Sequence, residues 1–118
     1  MKYTKEDLID DNIINNLLEL GDDGDNAFLK EILNLYNEQY PELFENIKQS
    51  FESNESLKLS QAAHALKGAS LNIGAKAVAE VCKEMEMKGK AGDLTGISVL
   101  IEKLTELYKH TFTEFEKL

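Results

Sequence analysis

Apolar residues recur every three or four positions along almost the whole of this chain, the spacing of amphipathic helices rather than of strands. Strand signals are nearly absent: β-branched clusters are rare and proline occurs once. Thr4 with Asp7 resembles a capping box opening a short first helix, expected to end near Leu20-Gly21. Asp22-Asp23-Gly24-Asp25 reads as a turn and helix start, with acids suited to an N-terminal dipole. One long stripe follows, Phe28, Leu29, Ile32, Leu33, Tyr36, Tyr40, Leu43, Phe44, Ile47 and Phe51, and it crosses Pro41. Proline removes a helical hydrogen bond, so a kink or a break into two coaxial pieces is expected there. Asn54 is expected to cap a third segment running to about Asn72, with Gly74 as its stop. A fourth carries Val78, Val81, Cys82 and Met85 on one face and ends between Lys88 and Gly92. The last carries Ile97, Leu100, Ile101, Leu104, Tyr108, Phe112 and Phe115. Connections of a few residues force antiparallel neighbours. The expected fold is all-α: one domain over residues 1–118, an antiparallel up-down four-helix bundle over about 25–117, and a short extra N-terminal helix over about 4–20.

Charge narrows the functions such a bundle can serve. All 13 cations are lysines, against 22 acids, for a formal net charge of −9. A chain this acidic repels polyphosphate, so nucleic acid is not an expected partner. No run of apolar residues is long enough to span a membrane, and the N-terminus turns charged where a signal peptide turns apolar. A cytoplasmic location is expected, which leaves the glycosylation sequon at Asn54-Glu55-Ser56 without meaning. Cys82 is the single cysteine, so it is expected to be buried and inert, with no internal disulfide.

The segment Ser56 to Ala75 carries the functional information. At about 100° per residue, Leu59, Ala62, Ala63, Leu66, Ala69 and Ile73 fall within an arc of roughly 120° that should be buried. His64 then lies about 160° from the centre of that arc, on the solvent side. An ordinary surface histidine is the competing reading, and its neighbours argue against it. Gly68, one turn on, costs about 1 kcal/mol relative to alanine in mid-helix, and what it removes is bulk beside the imidazole. Lys67 at i+3 can hold its ammonium near the same ring. Ser60, one turn earlier, adds a small neighbour, and Leu57 and Leu71 flank the histidine by about one heptad on each side. Together they describe an accessible nucleophile within a protein-docking surface, with Leu57, Ser60, Gln61 and Leu71 as the expected partner contacts.

A free imidazole has a pKa near about 6.5, so near neutrality much of it is an uncharged nucleophile. One ring nitrogen can attack phosphorus while the other is held by an acceptor. Glu86, in the following segment, is either that acceptor or a solvated rim carboxylate. The chain has no Walker loop, nucleotide lid or convincing acid pair for magnesium, so the phosphoryl donor must already be activated. An aspartyl phosphate on another protein qualifies.

The stretch Ala63-His64-Ala65-Leu66-Lys67-Gly68-Ala69-Ser70-Leu71-Asn72-Ile73-Gly74-Ala75 resembles the signature of histidine phosphotransfer (HPt) domains, A-H-x-L-K-G-x-S-x-N-[LI]-G-A, at every specified position. Val81-Cys82 with Met85-Glu86 is similar to the family's C-x-x-L-E element, methionine replacing leucine. Phe28-Leu29 through Pro41 and Leu43 resembles its F-L…P-x-L helix, and Gly92-Asp93 its G-D turn. The resemblance covers roughly residues 15–115 and finds no counterpart for residues 1 to about 14. It implies that His64 accepts the phosphoryl group, Lys67 is its positive neighbour, and Gly68 leaves room for the phosphoryl group and the incoming receiver domain. It also implies that position 86, frequently glutamine in the family, holds the imidazole. A glutamate can accept the same N–H and can repel a nearby phosphate.

The implied function is that of a stand-alone phosphorelay carrier, moving a phosphoryl group from one receiver aspartate to another without kinase or ATPase activity of its own. The implied partners are response-regulator receiver domains and hybrid sensor histidine kinases. No cofactor is expected on this chain, Mg²⁺ belonging to the receiver, and the family's usual monomeric state is expected. A helical adaptor that docks a receiver without accepting phosphate is the second reading. A metal-binding bundle using His64 and His110 is the third, disfavoured because the two histidines lack metal-site spacing. His110, near the apolar stripe of its helix, is expected to be structural.

Overall fold

A computed structural model describes residues 3–21 and 26–118, and the described residues form helices and no strand. In chain order these are α1 (Lys5–Leu8), α2 (Asp11–Leu20), α3 (Ala27–Glu52), α4 (Ser56–Asn72), α5 (Lys76–Lys90) and α6 (Ile97–Glu116). The turn expected at Asp22-Asp23-Gly24-Asp25 lies outside the described residues. Helices α3 to α6 make the four-helix bundle, each packed against the next, with α6 closing on α3. Its core is Leu29, Leu33, Tyr36, Ile47, Leu59, Ala63, Leu66, Val78, Cys82, Met85, Ile97, Leu100, Leu104 and Phe115, with their buried neighbours.

Three of the inter-helix turns are built alike. Asn54, Gly74 and Gly92 all take positive φ, and each follows the last turn of a helix. In each case the next residue's N–H reaches back to the helix: Glu55 to Ser50 O, Ala75 to Ser70 O and Asp93 to Lys88 O, all at 2.9 Å. The residue in the left-handed conformation thereby closes the carbonyls that a helix end leaves unpaired. Gly74 stops α4 as expected. Asn54 does not cap α4: it ends α3, and the residue preceding α4 is Glu55, which makes no side-chain cap bond.

Two further expectations are corrected. The N-terminal helix is two helices, because Ile9 adopts extended backbone and Asp10 caps a fresh start, its Oδ1 accepting from Asn12 N at 3.0 Å. The break is fixed by the rest of the fold: Leu8 and Ile9 are buried, and Asp10 N donates to Gly74 O at 2.8 Å. The Thr4–Asp7 capping box is present, with Thr4 N to Asp7 Oδ2 at 2.9 Å and Asp7 N to Thr4 Oγ1 at 3.2 Å. The other correction is to the break at Pro41: of the kink or break expected there, the break is not made, and α3 runs uninterrupted for 26 residues. Pro41 sits on the exposed side, while buried Tyr36, Tyr40 and Ile47 hold the helix on both sides of it.

Polar bonds tie the helices at chosen points. Tyr36 on α3 shares a buried hydrogen bond of 2.7 Å between its hydroxyl and Ser70 Oγ on α4. Tyr108 on α6 donates to Asn37 Oδ1 on α3 at 2.6 Å. The α4–α5 seam is close at Gly89, where a Cβ would stand 2.7 Å from Ser56 O and 2.9 Å from Ser60 N. Glycine is required there for the two backbones to meet.

Candidate functional site

The Ser60–Gly89 approach sets the register of the site. One turn further along α4 comes His64, and one turn back along antiparallel α5 comes Glu86. The two side chains meet: His64 Nδ1 lies 3.0 Å from Glu86 Oε2. Lys67, one turn beyond His64, places its Nζ 2.6 Å from Glu86 Oε1. Lys90, one turn beyond Glu86 on α5, places its Nζ 3.4 Å from Oε2. The His64 side chain is 65% exposed while that of Glu86 is 8% exposed. The site is therefore a buried carboxylate beneath an open imidazole.

Burial alone would raise the Glu86 carboxyl, but the hydrogen bond from Lys67, then those from His64 and Lys90, hold it down at about 2. A carboxylate that stays ionised offers only acceptors. The His64 nitrogen facing it, Nδ1, must then carry the ring proton, and the neutral ring's lone pair resides on Nε2. Among the described residues Nε2 has no hydrogen-bond partner, so the arrangement leaves one exposed nucleophilic nitrogen whose opposite edge is anchored.

The structure brings together His64, Lys67 and Glu86 as expected, and settles Glu86 as the acceptor rather than a solvated rim carboxylate. Lys67 engages Glu86 rather than the imidazole. Gly68 lies on this face with nothing within 4 Å of where its Cβ would be. Leu57 and Leu71 are 68% and 50% exposed, and Gln61 is exposed as well. Ser60 is the correction. It is only 4% exposed, covered by α5 at Gly89, and is withdrawn as a partner contact. The buried arc of α4 is centred nearer Ala63 and Ser70 than expected, which leaves Ala62 and Ala69 half-buried. Lys90 was not singled out from the sequence, although the i,i+4 spacing from Glu86 was a signal for it.

Two other expectations concern residues away from the site. Cys82 is buried, and burial pushes its thiol up to about 12, so it holds little thiolate at neutrality. His110 packs its ring 5.3 Å from that of Tyr3 and lies 3.9 Å from Glu106. Among the described residues no group of three or more His, Cys, Asp or Glu is placed to hold a metal ion. No described helix is long and apolar enough to cross a membrane.

A bundle presenting a carboxylate-anchored histidine on its second helix defines a class, and comparison with known proteins identifies it. The sequence model of the Hpt domain family matches residues 31–112, and the chain belongs to that family. It is 31% identical over 93 residues to the multistep phosphorelay regulator 1 of Schizosaccharomyces pombe, a match covering 79% of this chain and 32% of that protein. It is 28% identical over 105 residues to histidine-containing phosphotransfer protein 2 of Arabidopsis thaliana, covering 86% of this chain and 67% of that one. The chain thus spans about a third of the yeast relative's length and two-thirds of the plant one's. Among solved structures, histidine-containing phosphotransfer protein B of Pseudomonas aeruginosa superposes with a TM-score of 0.83 at 25% identity, covering 92% of this chain and 91% of that chain. A histidine-containing phosphotransfer protein of Medicago truncatula superposes with a TM-score of 0.81 at 24% identity, covering 96% and 80%, and supports the fold.

Proposed function

We propose that this chain is a phosphorelay carrier: His64 accepts a phosphoryl group from the aspartyl phosphate of one receiver domain and passes it to the aspartate of another. The observation that carries this reading is the His64–Glu86 pair, which holds one ring nitrogen and leaves the other exposed. In the forward step the Nε2 lone pair attacks phosphorus. The bond from phosphorus to the aspartyl oxygen breaks, and its electron pair leaves on the receiver's carboxylate. Nδ1 keeps its proton, so the ring becomes cationic at the moment the phosphoryl group arrives. The Glu86 carboxylate, 3.0 Å from Nδ1, stabilises that charge and fixes the ring's orientation. The second transfer is the same step reversed, onto a different carboxylate.

Phosphoryl transfer depends mainly on positioning and charge neutralisation. This chain supplies a fixed nucleophile, two ammonium groups and, at Gly68, space that no described residue from another helix fills. The receiver is expected to supply the divalent ion, and the chain no cofactor of its own. Hybrid sensor kinases and response regulators are the partners this chemistry requires. Exposed Leu57, Gln61 and Leu71 form the docking rim, and we take the carrier to act as a monomer in the cytoplasm.

The test uses receiver domains charged with radiolabelled acetyl phosphate, followed by addition of this protein or its His64→Gln variant. Transfer to the wild type alone, giving an acid-labile and alkali-stable product, is expected. Binding by charged receivers without transfer would favour the adaptor reading, and label on the variant would move the nucleophile elsewhere.

A further inference from the structure

Glu86 is in contact with two ammonium groups from different helices, which is one more than its single charge needs. Lys67 comes from α4 and bonds Oε1, whereas Lys90 comes from Glu86's own helix and lies against Oε2. We propose that Lys90 is a positioning residue for phosphoryl acceptance: it keeps the buried Glu86 carboxylate neutralised when Lys67 turns to the phosphoryl group on Nε2. The inference rests on the carrier reading and adds a residue and a division of labour to it.

The geometry gives the two lysines different freedoms. Lys67 stands one turn from His64 on the same helix face, so its ammonium moves from Glu86 to a group on the imidazole without backbone change. Lys90 stands one turn from Glu86 on α5 itself, with its Nζ 3.4 Å from Oε2, so its tether keeps it over the carboxylate. Its side chain is 67% exposed, so no packing has to be broken for it to tighten onto Oε2.

Charge accounting shows why a second ammonium is needed. Before transfer, a neutral imidazole, Glu86 and the two lysines carry one net positive charge. Transfer brings in one net negative charge, since the receiver's carboxylate leaves with the electron pair of the broken P–O bond and carries away the other negative charge. The phosphorylated group of a cationic ring, a dianionic phosphoryl, one carboxylate and two ammoniums is then neutral as a whole. Without Lys90 the same step leaves the site with one negative charge in excess, and once Lys67 has turned away the ring N–H is the one charged partner left to a carboxylate whose side chain is only 8% exposed. Such a charge is costly to strand. Glutamine at position 86 would remove the need, so Lys90 matters because the residue here is glutamate.

The experiment is a double-variant cycle on phosphoryl uptake from receiver domains charged with radiolabelled acetyl phosphate, repeated with potassium phosphoramidate as a partner-free donor. Lys90→Gln is expected to slow uptake about threefold to fivefold, the scale of a partly exposed ion pair. Lys90→Arg should restore the rate to within about twofold, since it keeps the charge. The Glu86→Gln/Lys90→Gln protein should take up phosphate at about the rate of Glu86→Gln alone, because no carboxylate remains to be balanced. Equal slowing by Lys90→Gln in both backgrounds, or none in either, would overturn the role of Lys90 while leaving the carrier reading intact. If the wild type takes up no phosphoryl group from either donor, the carrier reading fails and this inference fails with it.

Discussion

Gly68 and Gly89 both lie inside helices, where glycine is about 1 kcal/mol less favourable than alanine, and they sit on the two helices of one seam. At Gly89 the partner helix fills the space, and even a methyl group would press on the backbone at Ser56 and Ser60. At Gly68 nothing among the described residues, beyond the helix's own neighbouring backbone, comes within 4 Å of the missing Cβ. One glycine is explained by the fold, and the other finds no explanation inside the molecule. The difference teaches that an unfavourable residue with no intramolecular benefit points to something that binds. On the function proposed above, that is a phosphoryl group and the partner that brings it.

The largest expected effect tests the closed end of the seam. Gly89→Ala gains up to about 1 kcal/mol of helix propensity but forces two backbones apart, and overpacking of this kind typically costs about 1–3 kcal/mol. A net loss of roughly 1–2 kcal/mol in urea unfolding is expected, because the atoms met are backbone rather than the ends of flexible side chains. Unchanged stability would show that the close approach is not needed to hold α4 and α5 in register.

Between the two glycines lies Glu86, whose titration reports on the site they frame. A carboxyl lowered on folding, here from 4.5 to about 2, adds stability that is complete above the unfolded value and disappears as pH falls through the folded one. The stability difference between wild type and Glu86→Gln should be level above about pH 5.5 and shrink steadily as the pH approaches 2. Taking the difference cancels the other carboxylates, Asp7 and Asp93 included, which are also lowered. A difference that stays level down to pH 3 would mean the lysine and histidine contacts do not hold the carboxylate ionised.

The bundle was legible because its helices are long and their apolar stripes regular, and Val78, Val81, Cys82 and Met85 are all buried as their spacing implies. His64 was legible for a related reason: its phase opposes the stripe, and phase survives errors of a residue or two in helix limits. What escaped depends on neighbours. Ser60 was assigned to the surface from the phase of α4 alone, and only the approach of α5 at Gly89 buries it. Pro41 was read as a kink or a break, and packing on both sides of it carries the helix through without a break. The break at Ile9 depends on a backbone bond to Gly74, 64 positions away, although Asp10-Asp11-Asn12 did offer a local start signal. Lys90 could have been paired with Glu86 by spacing, yet its purpose needed Lys67 and His64 on the same carboxylate.

The smallest expected effect is at the open end, and its sign separates the two glycines. Gly68→Ala meets no described residue outside its own helical turn, so only propensity acts, and urea unfolding should show a gain of about 0.5–1 kcal/mol. The same methyl group stands beside His64 on the face that a receiver must approach. Phosphoryl uptake from charged receivers should therefore slow, by about threefold, while uptake from the much smaller phosphoramidate changes less than twofold. Such a protein would be more stable and a poorer carrier, the trade-off expected where a helix forgoes stability to keep a surface open. If Gly68→Ala gains stability and transfers as fast as the wild type, the space above Gly68 is not used by the receiver, and the glycine would be left without a function as well as without a packing role.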